Sequence, residues 1–159
     1  MTFDDWVIAL HVLSAFSLVA GIVLFWVLVF AVRRSDTPDG VLRLGPLAMV
    51  AQAAVGIGAL GTIVLGVWLA FSVGGYDIWD GWIIAAIVLW LIVTGLGQRT
   101  SAAHEHGVRK AQELQQAGQT GPNAELAAIN RAPTGALLHA AASAAVLLLL
   151  IDMIWTPGA

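Results

Sequence analysis

The sequence predicts an all-α fold: a four-span transmembrane helix bundle, N and C termini outside, with a cytoplasmic helical extension after the third span. Three observations predict it. First, four apolar stretches each approach or exceed the roughly 20 residues that a helix needs to cross a bilayer. Second, 59% of the 159 residues are hydrophobic and 11% charged, whereas roughly a quarter of a soluble domain is charged. Third, all seven cations fall in two of the three gaps between the stretches. Arg33, Arg34 and Arg43 occupy the first gap. Arg99, Arg109, Lys110 and Arg131 occupy the third. Cations are held back on the cytoplasmic side during insertion, so both gaps are expected inside.

Each element has its own signals. Span 1 covers about Trp6 to Val32. Asp4 and Asp5 replace the cationic start of a signal peptide, the apolar run is long and no small-x-small cleavage site follows, so a retained span is expected. Span 2 covers about Pro46 to Ser72, with Pro46 suited to a first helical turn after Gly45. The gap Val73 to Trp79 is short and makes spans 2 and 3 an antiparallel hairpin. Span 3 covers about Gly81 to Gln98 with Asp80 as N-cap. Thr100 to Gln116 is rich in helix formers, so span 3 is expected to continue as a polar helix until Gly118, Gly121 and Pro122 break it. Ala124 to Arg131 is expected as a short helix behind Asn123. Span 4 covers about Thr134 to Trp155, between Pro133 and Pro157-Gly158. The whole chain, 1–159, reads as one membrane domain. Phe3, Trp6, Trp68, Tyr76, Trp79, Trp82 and Trp155 form an aromatic belt near the outer surface.

Helix association in lipid depends on close backbone approach and polar pairing. Span 2 carries Ala54, Gly58, Thr62 and Gly66 at four-residue spacing, and span 4 carries Ala132, Ala136, Ala140 and Ala144. Spans 2 and 4 are therefore expected to be the central packing elements. Gly56-Ile57-Gly58-Ala59-Leu60-Gly61 matches the dinucleotide fingerprint, but that motif works where a strand turns into a helix. Inside a membrane span it reads as a helix-packing surface.

Cysteine is absent, which excludes disulfides, thiolate metal sites, cysteine nucleophiles and covalent c-type haem. Ionisable residues inside a membrane are functional candidates. An outer group comprises His11, Ser14 and Asp152, with Asp152 at the right depth to pair with His11. An inner polar layer comprises Gln52, Thr94, Gln98, His139 and Ser143. At 1.5 Å rise per residue His11 and His139 differ in depth by roughly 14 Å, so they are not expected to share one metal, whose bonds to nitrogen are about 2 Å. In His104-Glu105-His106 the rings sit two residues apart and diverge on a helix, so a solvated face is expected and no metal site. No catalytic constellation is legible.

Leu10-His11-Val12-Leu13 with Ala20-Gly21 and Arg33-Arg34, then Gly61-Thr62-Ile63-Val64-Leu65-Gly66 and Trp82-Ile83, resemble small bacterial four-helix integral membrane proteins of unknown function. These are distantly similar to the copper-resistance D and haem-dependent membrane protoporphyrinogen oxidase families. The resemblance implies a multi-pass protein of the bacterial inner (plasma) membrane and makes His11 a candidate ligand of haem b. The chain departs from the oxidase pattern in lacking its later Trp and Pro-Arg pair in span 1 and any intramembrane lysine. With Met49 and Met153 as the membrane methionines, copper uptake is not favoured.

Three functional readings stand. The favoured one is an integral membrane protein without evident catalytic apparatus, a packing or accessory subunit of a membrane assembly. The others are a haem-binding redox protein using His11 and a small transporter using the inner polar layer. Expected partners are the lipid bilayer and either a second copy or other membrane subunits, with no nucleic acid.

Overall fold

A computed structural model of the chain describes residues 2–72 and 79–155. Residues 73–78, with Tyr76 and Asp77 among them, and Pro157-Gly158 lie outside the described residues. The elements are α1 (Phe3–Arg33), α2 (Pro38–Leu42), α3 (Gly45–Ser72), α4 (Gly81–Gln116), α5 (Ala124–Arg131) and α6 (Pro133–Trp155), with no strand among the described residues. Four helices are long and apolar enough to cross a membrane.

The ends follow from local chemistry. α1 begins three residues before Trp6 because Thr2 and Asp5 form a capping box: the Thr2 amide donates to Asp5 Oδ2 at 2.6 Å and the Asp5 amide to Thr2 Oγ1 at 3.3 Å. α2 lies inside the first gap, where the sequence reading placed no helix. Its signal is Thr37-Pro38-Asp39: Thr37 Oγ1 accepts from the Gly40 amide at 3.2 Å, Pro38 opens the helix and Asp39 sits in its first turn. Asp80 stands at the N-cap of α4, where its carbonyl accepts from the Ile83 and Ile84 amides and its side chain makes no capping bond.

α4 has 36 residues, about 54 Å at the α-helical rise, so it outruns a hydrocarbon core of about 30 Å. The part after Gln98 is the expected extension. It stops where the sequence indicated. Gly118 adopts φ +74°, and the Gln119 and Gly118 amides donate to the Leu114 and Gln115 carbonyls at 2.9 and 3.0 Å. These are the paired bonds of a Schellman motif, in which glycine takes the left-handed position without steric cost. Asn123 then caps α5 through Oδ1, which accepts from the Leu126 amide at 3.0 Å.

The four long helices form two antiparallel pairs, α1 with α3 and α4 with α6. Leu18 of α1, Val93 of α4, and Ala145 and Val146 of α6 join the pairs in one buried cluster. A second cluster, Phe25, Leu28, Val32, Ala48 and Ala51, lies within the first pair. α1 and α6 are the more deeply embedded helices. α3 buries only Ala48, Ala51 and Gly58, so the expectation that span 2 is central is corrected. Its small residues set how closely α1 approaches, but among the described residues much of the remaining α3 surface is uncovered, with Met49, Ile57, Leu60, Val64 and Phe71 exposed.

The close approach itself is present. A Cβ on Gly58 would fall on the Leu18 backbone, and one on Gly61 would fall on the Ser14 side chain. Ser17 Oγ donates to the Ala54 carbonyl at 3.0 Å between them. The apparent dinucleotide motif thus lies within a continuous helix and serves packing.

The two cation-bearing connections fold together at one end of the bundle, here termed the basic end. Asn123 donates its amide to the Asp36 carbonyl at 2.9 Å, Asn130 Nδ2 donates to the Ser35 carbonyl at 2.9 Å and Arg33 Nη1 donates to the Ala132 carbonyl at 3.2 Å. Val41, Ala111, Leu114 and Leu126 form a third buried cluster there. This small cap on the bundle comprises α2, α5 and the α4 extension. At the opposite end Phe3, Trp6, Trp68, Trp79 and Trp155 are exposed, and Phe3 meets Trp68 edge-to-face at 5.9 Å.

Candidate functional site

Three polar places are built into the bundle. The first surrounds His139, which is 3% exposed on α6. Its Nε2 lies 3.0 Å from the Ile22 carbonyl. A carbonyl only accepts, so Nε2 carries the hydrogen. The ring packs against Trp26 and Phe25 of α1 at 4.8 and 5.1 Å between centroids. One turn along, Ser143 Oγ donates to the His139 carbonyl at 2.8 Å and accepts from Trp26 Nε1 at 3.0 Å. The inner layer therefore consists of His139 and Ser143, joined by Trp26 of α1.

The other expected members do not join it. Gln52 and Gln98 are exposed, on α3 and α4. Thr94 is half-buried, and its Oγ1 is buried without a hydrogen-bond partner. Trp90 links α4 to α3 by donating from Nε1 to the Ala59 carbonyl at 2.9 Å.

The second place is near the aromatic end. His11 is half-buried between α1 and α3. A Cβ on Gly66 would stand 3.0 Å from its Cε1. Ser14 Oγ donates to the Leu10 carbonyl at 2.8 Å, so it serves the α1 backbone. Asp152 is half-buried on α6. His11 Nδ1 and Asp152 Oδ2 are both buried and have no hydrogen-bond partner among the described residues. Leu18 and Val146 share a cluster. His11 lies seven residues from Leu18, and Asp152 six from Val146, both toward the aromatic end. At 1.5 Å per residue the two groups sit at matching depth, about 9–10 Å beyond the cluster.

The His11 ring stands between α1 and α3, with its Nδ1 closed off from solvent and Gly66 against its Cε1 edge.

The third place is a half-open cavity of about 350 Å³ at the basic end, among α1, α4, α5 and α6. Phe25, Val29 and Ile129 line its apolar part, and Arg33, His104 and His106 its polar part. His104 turns inward to meet Phe25 at 6.1 Å, whereas Glu105 and His106 are exposed. Both His104 and His106 line this cavity, and among the described residues no group of three or more His, Cys, Asp or Glu could hold a metal ion. His104 lies beyond the membrane segment of α4. Burial pushes it below the ordinary imidazole value, with Glu105 partly opposing. Next to the cavity, Lys110 Nζ pairs with Glu125 at 2.7 Å, which raises the lysine above its usual value. Sequence reading missed this cavity because its lining comes from four helices. The signal available was Arg33 directly after an apolar run. Among known proteins, no family model, no curated sequence and no solved structure matches this chain.

Proposed function

We propose that this integral membrane protein is a structural subunit that assembles laterally with a second copy of itself through α3 and α4. One observation carries the reading: Gln52 and Gln98 are exposed at the same depth on neighbouring helices. The Trp90–Ala59 bond fixes the level of α4 against α3. From that bond Gln52 lies seven residues and Gln98 eight residues toward the basic end, about 10 and 12 Å. An amide facing lipid leaves its donors and acceptor unpaired. A glutamine amide both donates and accepts, so copies related by a two-fold axis satisfy each other. The apolar face of α3, uncovered within the chain, continues the same surface. In this reading the cations face the cytoplasm of a bacterial cell and the aromatic end faces outward.

Native mass spectrometry from mild detergent tests the assembly. The wild type is expected as a dimer, and Gln52→Leu/Gln98→Leu as predominantly monomer. A monomeric wild type, or a double variant that dimerises as well as the wild type, overturns the proposal.

A further inference from the structure

The basic-end cavity has a composition and a depth that together specify a ligand. Phe25, Val29 and Ile129 are among its apolar lining, Arg33, His104 and His106 supply donors, with His104 beside Phe25 and Arg33 about two helical turns farther along α1, and no carboxylate lines it. Arg33 gives one N–H to the Ala132 carbonyl and forms neither of the two ion pairs found among the described residues. Its remaining guanidinium donors keep the fork geometry that grips phosphate.

Depth adds an independent constraint. From Trp6 to Phe25 the helix rises about 28 Å, close to a hydrocarbon core of about 30 Å. From Phe25 to Arg33 it rises about 12 Å more, through the headgroup layer. The apolar part of the cavity therefore opens at the acyl boundary and the cationic part among the headgroups. We infer that the cavity is a binding site for an anionic phospholipid, with the phosphate on Arg33 and the upper acyl chain along Val29 and Phe25. Basic pockets between membrane helices hold anionic headgroups in this way. His104, kept neutral by burial, offers a hydrogen-bond donor without a second fixed charge. The site is independent of lateral assembly, since Gln52 and Gln98 do not line it.

The test uses the full chain in nanodiscs of phosphatidylcholine alone or doped with phosphatidylglycerol, with retained lipid read by native mass spectrometry. The wild type is expected to retain phosphatidylglycerol preferentially. Arg33→Glu should lower that preference about tenfold, the loss of one charge-assisted contact. Val29→Trp, which fills the apolar part and leaves the charge alone, should lower it similarly. Arg43→Glu should leave it unchanged, because Arg43 is exposed, paired with Asp39 at 2.8 Å and absent from the cavity lining. Equal retention of both lipids by the wild type overturns the inference, as does a preference that survives both cavity variants. Displacement of the lipid by inorganic phosphate, with phosphate binding intact in Val29→Trp, would identify a phosphate site and also overturn it.

Discussion

Gly58, Gly61 and Gly56 lie within six residues of one helix, yet three different surroundings face them. The Leu18 backbone opposes Gly58, the Ser14 hydroxyl opposes Gly61, and nothing lies within 4 Å of a Cβ on Gly56. A backbone cannot rotate away, whereas a serine side chain can. Gly58→Ala should therefore cost about 1–3 kcal/mol as overpacking that forces α1 and α3 apart. Gly61→Ala should cost less, and Gly56→Ala should be close to neutral. Thermal unfolding of the three variants in detergent orders them, and equal losses at all three positions would contradict the interface. At this scale the sequence indicated which residue types matter but not which face they occupy. α3 is apolar all round, so no polar stripe marks its buried side. That is why Gln52, expected in the inner polar layer, stands exposed, and why the bond from Trp26 to Ser143 is not legible in the sequence.

Among the elements, the spans and the α4 extension were legible because their signals are local. Length set the crossings, Gly118 ended α4, and Asn123 started α5. α2 was overlooked although Thr37-Pro38-Asp39 is a helix start. The cap that these pieces form has its own buried core around Val41 and Leu126, which are 1% and 0% exposed. Leu126→Ala should cost about 2–5 kcal/mol by opening a cavity in a core that collapses poorly. Its effect should be local, since the cluster it opens lies among α2, α5 and the α4 extension. Limited trypsin digestion should then cut at Lys110 and Arg131 far sooner than in the wild type, while the membrane helices remain protected. Loss of the whole fold in this variant would show that cap and bundle are one cooperative unit.

At the scale of the molecule, two helix pairs meet along one buried seam, and the cation-bearing connections close over one end. The His139–Ile22 and Trp26–Ser143 bonds cross that seam. Each contributes on the order of 0.6 kcal/mol in a membrane, so they fix which faces meet more than they hold the bundle together. The candidate sites follow from this architecture: exposed amides at one depth, a cavity under the cap, and orphaned polar atoms of His11 and Asp152 near the aromatic end. Of these, only the members of the polar groups were readable from sequence; their grouping required knowing how the pairs dock. The chain contains no native cysteine, so single cysteines report sidedness without background. In sealed vesicles, Asp39→Cys and Gln119→Cys should both react with an impermeant maleimide from the same side, and Phe3→Cys only from the other. Labelling of Asp39→Cys and Gln119→Cys from opposite sides, or of Phe3→Cys from their side, would contradict the four-crossing bundle.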